Sequence, residues 1–282
     1  MTSISASSAF KDEKRVLPQH QAALTLLQGM LANPKVVNLN WLDLACGRGQ
    51  IIVGLKSNLS DQARAKLYYF GFDVKEDFVK ETQKTASELG LKGHEFEVGY
   101  LSNFIKICPH HLTFDFITLT NTVHEVSPKK IAATLMDCLS KLSQAGCLYI
   151  YDMESISPFE VGAVAWTKTE IFLIIKTMFD ALGIKEYIPE VGQWSHHSCN
   201  GWNVQIQREH VNLNPEELAE RQGEALAISS SLIKDLLSKK LEHCKSALET
   251  LTLYGSETQD EQAEKERLLY DFWAINRALE DE

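Results

Sequence analysis

Short apolar runs alternating with stretches of helical periodicity are the feature that most narrows what this chain can fold into. Runs over residues 41–45, 67–73, 114–120 and 147–151 are nearly continuous in apolar residues and too short for helices, as buried parallel strands require. A weaker run covers 96–98. Helical spacing spans 20–31, which Asn33-Pro34 stops, and then 51–59, 78–89, 128–142 and 169–182, the last ended by Gly183. Pro128 suits a first helical turn. Such alternation places parallel strands in the middle and helices on both faces. Residues 185–188 and 202–207 read as two further strands with no helix between them, which predicts a hairpin at an antiparallel edge. The expected architecture is α/β: a doubly wound sheet, mostly parallel with an antiparallel edge strand.

The texture changes from Asn214 onward. Asn214-Pro215-Glu216-Glu217 supplies a cap, a first-turn proline and first-turn acids. Leu218, Leu226, Leu232, Ile233, Leu236, Leu237, Leu241, Leu248 and Leu251 then mark one long amphipathic helix. After a loop over 254–260, Leu268, Leu269, Phe272, Trp273 and Leu279 mark a second. The reading is a tail over 1–15 that is polar, rich in Ser and disordered, a main domain over 16–211 and a C-terminal helical hairpin over 212–282. Two helices alone make a thin core, so their apolar stripe must dock on the main domain or form a homodimer interface. Lys239, Lys240, Glu264, Lys265 and Glu266 read as solvated surface.

Composition excludes some functions. A formal net charge of −10 makes a nucleic-acid partner a poor expectation, because phosphate binding needs a basic footprint. Residues 1–15 lack the apolar segment of a signal peptide, and no apolar run is long enough to cross a membrane. The six cysteines contain no CxxC pair, which reads as free thiols in the reducing cytoplasm.

The residues that carry chemistry begin at Leu42-Asp43-Leu44-Ala45-Cys46-Gly47-Arg48-Gly49-Gln50, an apolar strand running into a small-residue turn and then a helix. Small residues let the backbone approach a ligand, and a helix N-terminus offers free N–H groups. Asp43 lies toward the strand end, where ligands bind in open α/β sheets, and its carboxylate suits a ligand carrying a positive amine. The turn is not a G-x-G-x-x-G fingerprint, because Ile52 stands where the last glycine belongs. Asp73 ends the next strand, where an acid accepts hydrogen bonds from ribose hydroxyls or caps the following helix.

From these residues the chain resembles the class I S-adenosylmethionine-dependent methyltransferases, over roughly residues 42–208. Leu42 to Gly49 looks like the family's first motif, with Asp43, Ala45, Gly47 and Gly49 at its signature positions, and Asp73 matches its ribose-holding acid. Phe114-Asp115-Phe116-Ile117 resembles the fourth-strand motif, and Gly146-Cys147-Leu148-Tyr149-Ile150 the glycine turn and fifth strand. The resemblance implies a Rossmann-like fold, S-adenosyl-L-methionine as cofactor and transfer of its methyl group. One position departs from the pattern: Val98-Gly99-Tyr100-Leu101 stands where an aspartate often touches adenine, leaving Tyr100 and Leu101 as the candidate contacts, with Asn121 after the fourth strand. The loop Asn121-Thr122-Val123-His124-Glu125 occupies the place where such enzymes put groups between cofactor and substrate. His124 and Glu125 are the candidate catalytic residues, His124 either as a base near neutral pH or as a pocket wall. Asp152 and Glu154 follow the fifth strand, as loop caps or site residues, and Glu160 and Trp166 lie in a segment placed to cover a pocket. The loop lacks the Asn/Asp-Pro-Pro-aromatic pattern of enzymes that methylate exocyclic amines, and a small-molecule acceptor is the leading reading. A protein or RNA acceptor, and a non-catalytic cofactor-binding partner, are the alternatives. Trp194, His196, His197, Cys199 and Trp202 cluster late in the chain; a structural metal site there lacks a fourth ligand, and no metal is expected.

Overall fold

The computed structural model describes residues 18–91, 93–109, 111–156, 160, 162–196, 199–254 and 258–280. The tail expected over 1–15 lies outside them. Helix α1 (Pro18–Ala32) precedes strand β1 (Leu39–Leu44), followed by three single-turn helices, α2 (Gln50–Val53), α3 (Leu55–Asn58) and α4 (Asp61–Arg64). Then come β2 (Leu67–Asp73), α5 (Glu76–Glu88), β3 (Gly93–Val98), α6 (Phe104–Ile107), β4 (Phe114–Thr120), α7 (Pro128–Lys141) and β5 (Leu142–Met153). The order closes with α8 (Lys168–Ala181), β6 (Glu190–His196), β7 (Cys199–Gln207), α9 (Pro215–Tyr254) and α10 (Gln259–Glu280).

Among the described residues the strands form a seven-stranded sheet in the order β3-β2-β1-β4-β5-β7-β6. β3, β2, β1, β4 and β5 pair in parallel, and the strands at the β7-β6 edge run antiparallel. Strand order reverses between β1 and β4, which makes their C-terminal ends the switch point where open α/β sheets bind ligands.

Three local readings are corrected. The expected helix over 51–59 is two short helices meeting at Gly54. Residues 185–188 are not a strand: Pro189 has no N–H to give to a ladder, so the strand forms after it, at Glu190, and Tyr187 packs its ring 5.6 Å from that of Phe179. β5 begins at Leu142 rather than after Gly146, and its ladder to β4 shifts register between Phe114 and Phe116.

Contacts divide the chain into two compact units, and the division is not the linear one at 211/212. The first holds the described residues of Met1–Thr120, with Asp137–Tyr151 and Asn203–Asn212. Its core is aromatic: Trp41, Tyr69, Phe70, Phe72, Phe114 and Phe116 are all at least 98 % buried, and α1 adds Ala23, Leu24 and Leu27. Trp41 sits edge-on to Tyr69 at 4.9 Å and donates its indole N–H to Thr118 Oγ1 at 2.8 Å.

The second unit holds the described residues of Asn121–Met136, Asp152–Trp202 and Leu213–Glu282. Here α8 buries Ile171, Ile174, Ile175, Met178 and Phe179, and α9 packs along both α8 and α10. The apolar stripe of α9 is buried at Leu218, Ala225, Ile233, Leu236, Leu237 and Cys244. Lys240 is not the solvated residue its sequence context suggests. It pairs with Glu170 at 2.8 Å and lies over the Trp166 ring at 5.7 Å. No helix among the described residues is long and apolar enough to cross a membrane.

Candidate active site

The turn after β1 is built from left-handed residues. Ala45, Gly47 and Gly49 have φ of 57°, 54° and 80°, a region glycine enters without the strain a Cβ brings. Its backbone is pinned from several sides. Cys46 N–H donates to Phe72 O at 2.9 Å, Gly47 N–H to Asp73 Oδ2 at 2.9 Å, and Thr82 Oγ1 donates to Gly47 O at 2.8 Å. The N–H of Arg48 goes to Gln50 Oε1 at 3.0 Å and that of Gly49 to Cys46 O at 3.0 Å. The N–H groups of Gly47, Arg48 and Gly49 are therefore already engaged within the turn, and the helix that follows has only four residues.

Asp43 is turned into the sheet rather than outward. It is 1 % exposed, and its two oxygens accept from Tyr69 Oη at 2.8 Å and Thr118 Oγ1 at 2.7 Å. Burial pushes its carboxyl up to about 6, the Thr118 and Tyr69 hydrogen bonds oppose that, and the charge of Asp73 adds to it. In this geometry Asp43 braces β1 between β2 and β4.

Asp73 is placed differently. One oxygen accepts from Gly47 N–H and the other from Lys75 N–H, each at 2.9 Å, so it shapes the turn and starts α5. A carboxylate has about four lone-pair sites. Two are used here, and the remainder fit the hydroxyls of a ribose. Gly99 N–H donates to Asp73 O at 3.0 Å, which fixes the start of the Tyr100-Leu101 segment; Tyr100 is 70 % exposed and Leu101 half-buried. Asn121, the residue after β4, has φ of 53°, and its Oδ1 is buried with no protein donor. A buried orphaned acceptor is rare, and one after β4 fits a ligand rich in N–H and O–H groups.

His124 is the centre of a second cluster. Asp152 grips it twice, accepting the His124 backbone N–H on Oδ2 at 2.8 Å and facing Nδ1 with Oδ1 at 2.6 Å. Glu160 Oε2 lies 2.9 Å from Nε2, close enough for an ion pair but not aligned for a hydrogen bond, and Glu125 Oε1 lies at 4.0 Å. His124 is 3 % exposed and Asp152 1 %. Burial pulls the imidazole pKa down, but the hydrogen bond and charge of Asp152, with Glu160 and Glu125, outweigh it and raise it above its ordinary value.

Nothing in the sequence around Asp152 or Glu160 joins either residue to His124. The link is made by the strand register: Thr120 pairs with Tyr151, which sets the loop after β4 beside Asp152 at the end of β5. The Trp194–Trp202 cluster is the β6–β7 hairpin. Trp202 is fully buried and donates its indole N–H to Trp166 O at 2.7 Å. His197 and the side chains of His196 and Cys199 lie outside the described residues.

A doubly wound sheet with a glycine turn after β1 and an acid closing β2 defines the nucleoside-binding class of α/β proteins. Residues 35–188, more than half of the chain, match the family model described as a methyltransferase domain. The chain belongs to this family, and it is an S-adenosylmethionine-dependent methyltransferase of class I. No curated protein sequence matches it. Among solved structures it is similar to magnesium protoporphyrin IX methyltransferase from Synechocystis PCC 6803 with bound SAM, at 15 % identity over 72 % of this chain and 90 % of that one, with a TM-score of 0.47. It is also similar to a SAM-dependent methyltransferase from Aquifex aeolicus, at 20 % identity over 71 % and 97 %, TM-score 0.42. A third is an rRNA methylase from Streptococcus thermophilus, at 14 % over 66 % and 95 %, TM-score 0.45.

Proposed function

We propose that the enzyme methylates a small-molecule acceptor by in-line displacement, and that the cluster around His124 takes up the proton the acceptor gives up. The observation that carries this reading is the buried His124–Asp152 pair in the loop directly after β4. A methyl donor needs little from the protein beyond positioning, so a buried, doubly gripped histidine there points to an acceptor that carries a proton. S-adenosylmethionine, when bound, supplies the electrophilic methyl group. On this reading Asp73 holds the cofactor through its free acceptor sites, Ala45, Gly47 and Gly49 give it backbone to lie against, and Tyr100 and Leu101 border its base. Asp43 keeps the turn in place from beneath. Glu125, 65 % exposed in its side chain, adds negative charge beside His124. The net charge of −10 favours a small acceptor over a polyanion. Five described cysteines are free and buried, which fits a reducing cytoplasm.

Calorimetry with S-adenosylmethionine, followed by S-adenosylhomocysteine release against a panel of phenols, amines, thiols and carboxylic acids, tests the proposal. Turnover on a panel member that falls by about 100-fold or more in His124→Ala, at unchanged cofactor affinity, is the expected result. A parent chain that binds the cofactor and methylates only RNA or protein overturns the small-molecule reading.

A further inference from the structure

Asp152, His124 and Glu160 form a line with a buried end and an open end. Asp152 closes the buried end: it is 1 % exposed, and besides gripping His124 it accepts the Met153 N–H at 2.7 Å. His124 is the middle member, with one ring nitrogen on Asp152 and the other 2.9 Å from Glu160. Glu160 is the open end, its side chain 38 % exposed while Oε2 is buried against the ring.

We infer that Glu160, and not His124, meets the acceptor's proton, with His124 and Asp152 acting behind it as positioning residues; this rests on the methyl-transfer reading above. A base must offer a lone pair to the proton it takes. Both nitrogens of His124 already face carboxylates, and the ring is sealed from solvent. The charged groups facing it, Asp152, Glu160 and Glu125, are all acidic and outweigh burial, which tilts the ring toward the imidazolium, a donor with no lone pair left. Glu125, at 4.0 Å, is too far to bond the ring. An incoming O–H, N–H or S–H therefore finds one carboxylate that is both open and anchored, that of Glu160. In the step, a lone pair on the acceptor's O, N or S forms the bond to the methyl carbon, and the X–H bonding pair stays behind on that atom. The methyl–sulfur pair stays on sulfur, and the proton goes to the Glu160 carboxylate and on to solvent.

Nitrogen-15 NMR of histidine-labelled full-length protein tests the line without any acceptor. In the parent, the His124 titration midpoint is expected above that of a free imidazole, and Glu160→Gln is expected to lower it. In S-adenosylhomocysteine release on the acceptor panel, Glu160→Gln is expected to lose about 100-fold in kcat at unchanged cofactor affinity. Glu160→Asp should recover part of that, and His124→Asn should lose less while keeping the acid limb of the pH profile. A His124 midpoint identical in parent and Glu160→Gln overturns the inference. So does full turnover in Glu160→Gln with loss in His124→Asn, an outcome that leaves the methyl-transfer reading standing. A parent that binds no S-adenosylmethionine takes down that reading, and the inference with it.

Discussion

Asp43 and Asp73 lie on adjacent parallel strands and belong to the same motif pattern, yet their carboxylates do different work. Asp73 accepts from backbone N–H groups and shapes the glycine turn; Asp43 accepts from two hydroxyls inside the sheet. Asp43 binds its proton more tightly when folded, at about 6 against an ordinary 3.8. Its stabilising contribution is therefore complete below about pH 4 and is lost as pH rises through 6, a change on the order of 3 kcal/mol. Asp43→Asn removes that dependence, because the Tyr69 and Thr118 hydroxyls can rotate to suit an amide. Urea unfolding of parent and variant from pH 4 to 7.5 should show the parent losing stability relative to the variant as pH rises. A constant difference between them across that range refutes the assignment. Gly47→Val tests the turn: at φ +54° a β-branched residue is strained by about 1–3 kcal/mol, and its Cβ would lie 2.7 Å from Gln50 Oε1, the acceptor for Arg48 N–H. Thermal melts should show the lowered stability, and calorimetry a cofactor affinity reduced tenfold or more.

At the scale of single elements, α8 shows how much of a helix is written locally. Thr167 caps its first turn and Glu170 reaches back to the Thr167 N–H at 2.8 Å, a capping box spelled out in four consecutive residues. Gly183 follows its end at φ +84°, as helix-ending glycines do. What those four residues do not contain is Lys240, which pairs with the same Glu170 carboxylate from α9, or Arg221, which donates to Leu182 O at 2.7 Å. Glu170→Ala should cost about 1–2 kcal/mol in chemical unfolding, since it opens the box and strands Lys240. Lys240→Ala should cost less than about 1 kcal/mol, because that pair is partly screened by water. Equal losses in the two variants would show that the ion pair, not the box, holds this end. Gly183→Ala should also destabilise, because its Cβ would sit 2.6 Å from Arg221 Nη1 in a left-handed backbone.

Across the whole molecule, the chain crosses between its two compact units several times, so the late helices are part of a unit that also holds the His124 loop. α9 alone spans 40 residues, about 60 Å of helix, and meets α8 and α10 within its own unit. Its stripe has an intramolecular partner, which answers the burial demand without a second chain. Ile233→Ala, at a position 3 % exposed, should cost about 2–4 kcal/mol, with unfolding midpoints that do not move with protein concentration. A concentration-dependent midpoint would place a homodimer on this stripe after all. Leu269 and Trp273 of α10 stay half-exposed, at 50 % and 44 %.

Local chemistry carried most of the fold in the sequence. Strand and helix periods, Gly47 and Gly49 in the turn, Pro215 and Gly183 at helix ends each act within a few residues, so the order of elements, the parallel sheet and the cofactor class were legible from residue spacing and resemblance. The sheet's tertiary pairing decided the rest. Asp43 became a bracing residue because β2 and β4 bring Tyr69 and Thr118 to it across 26 and 75 residues of chain. Asp152 became the partner of His124 because Thr120 and Tyr151 share a register, joining groups 28 residues apart. A carboxylate's role is set by what donates to it and how much water reaches it, and for these residues neither is encoded next to them in the chain.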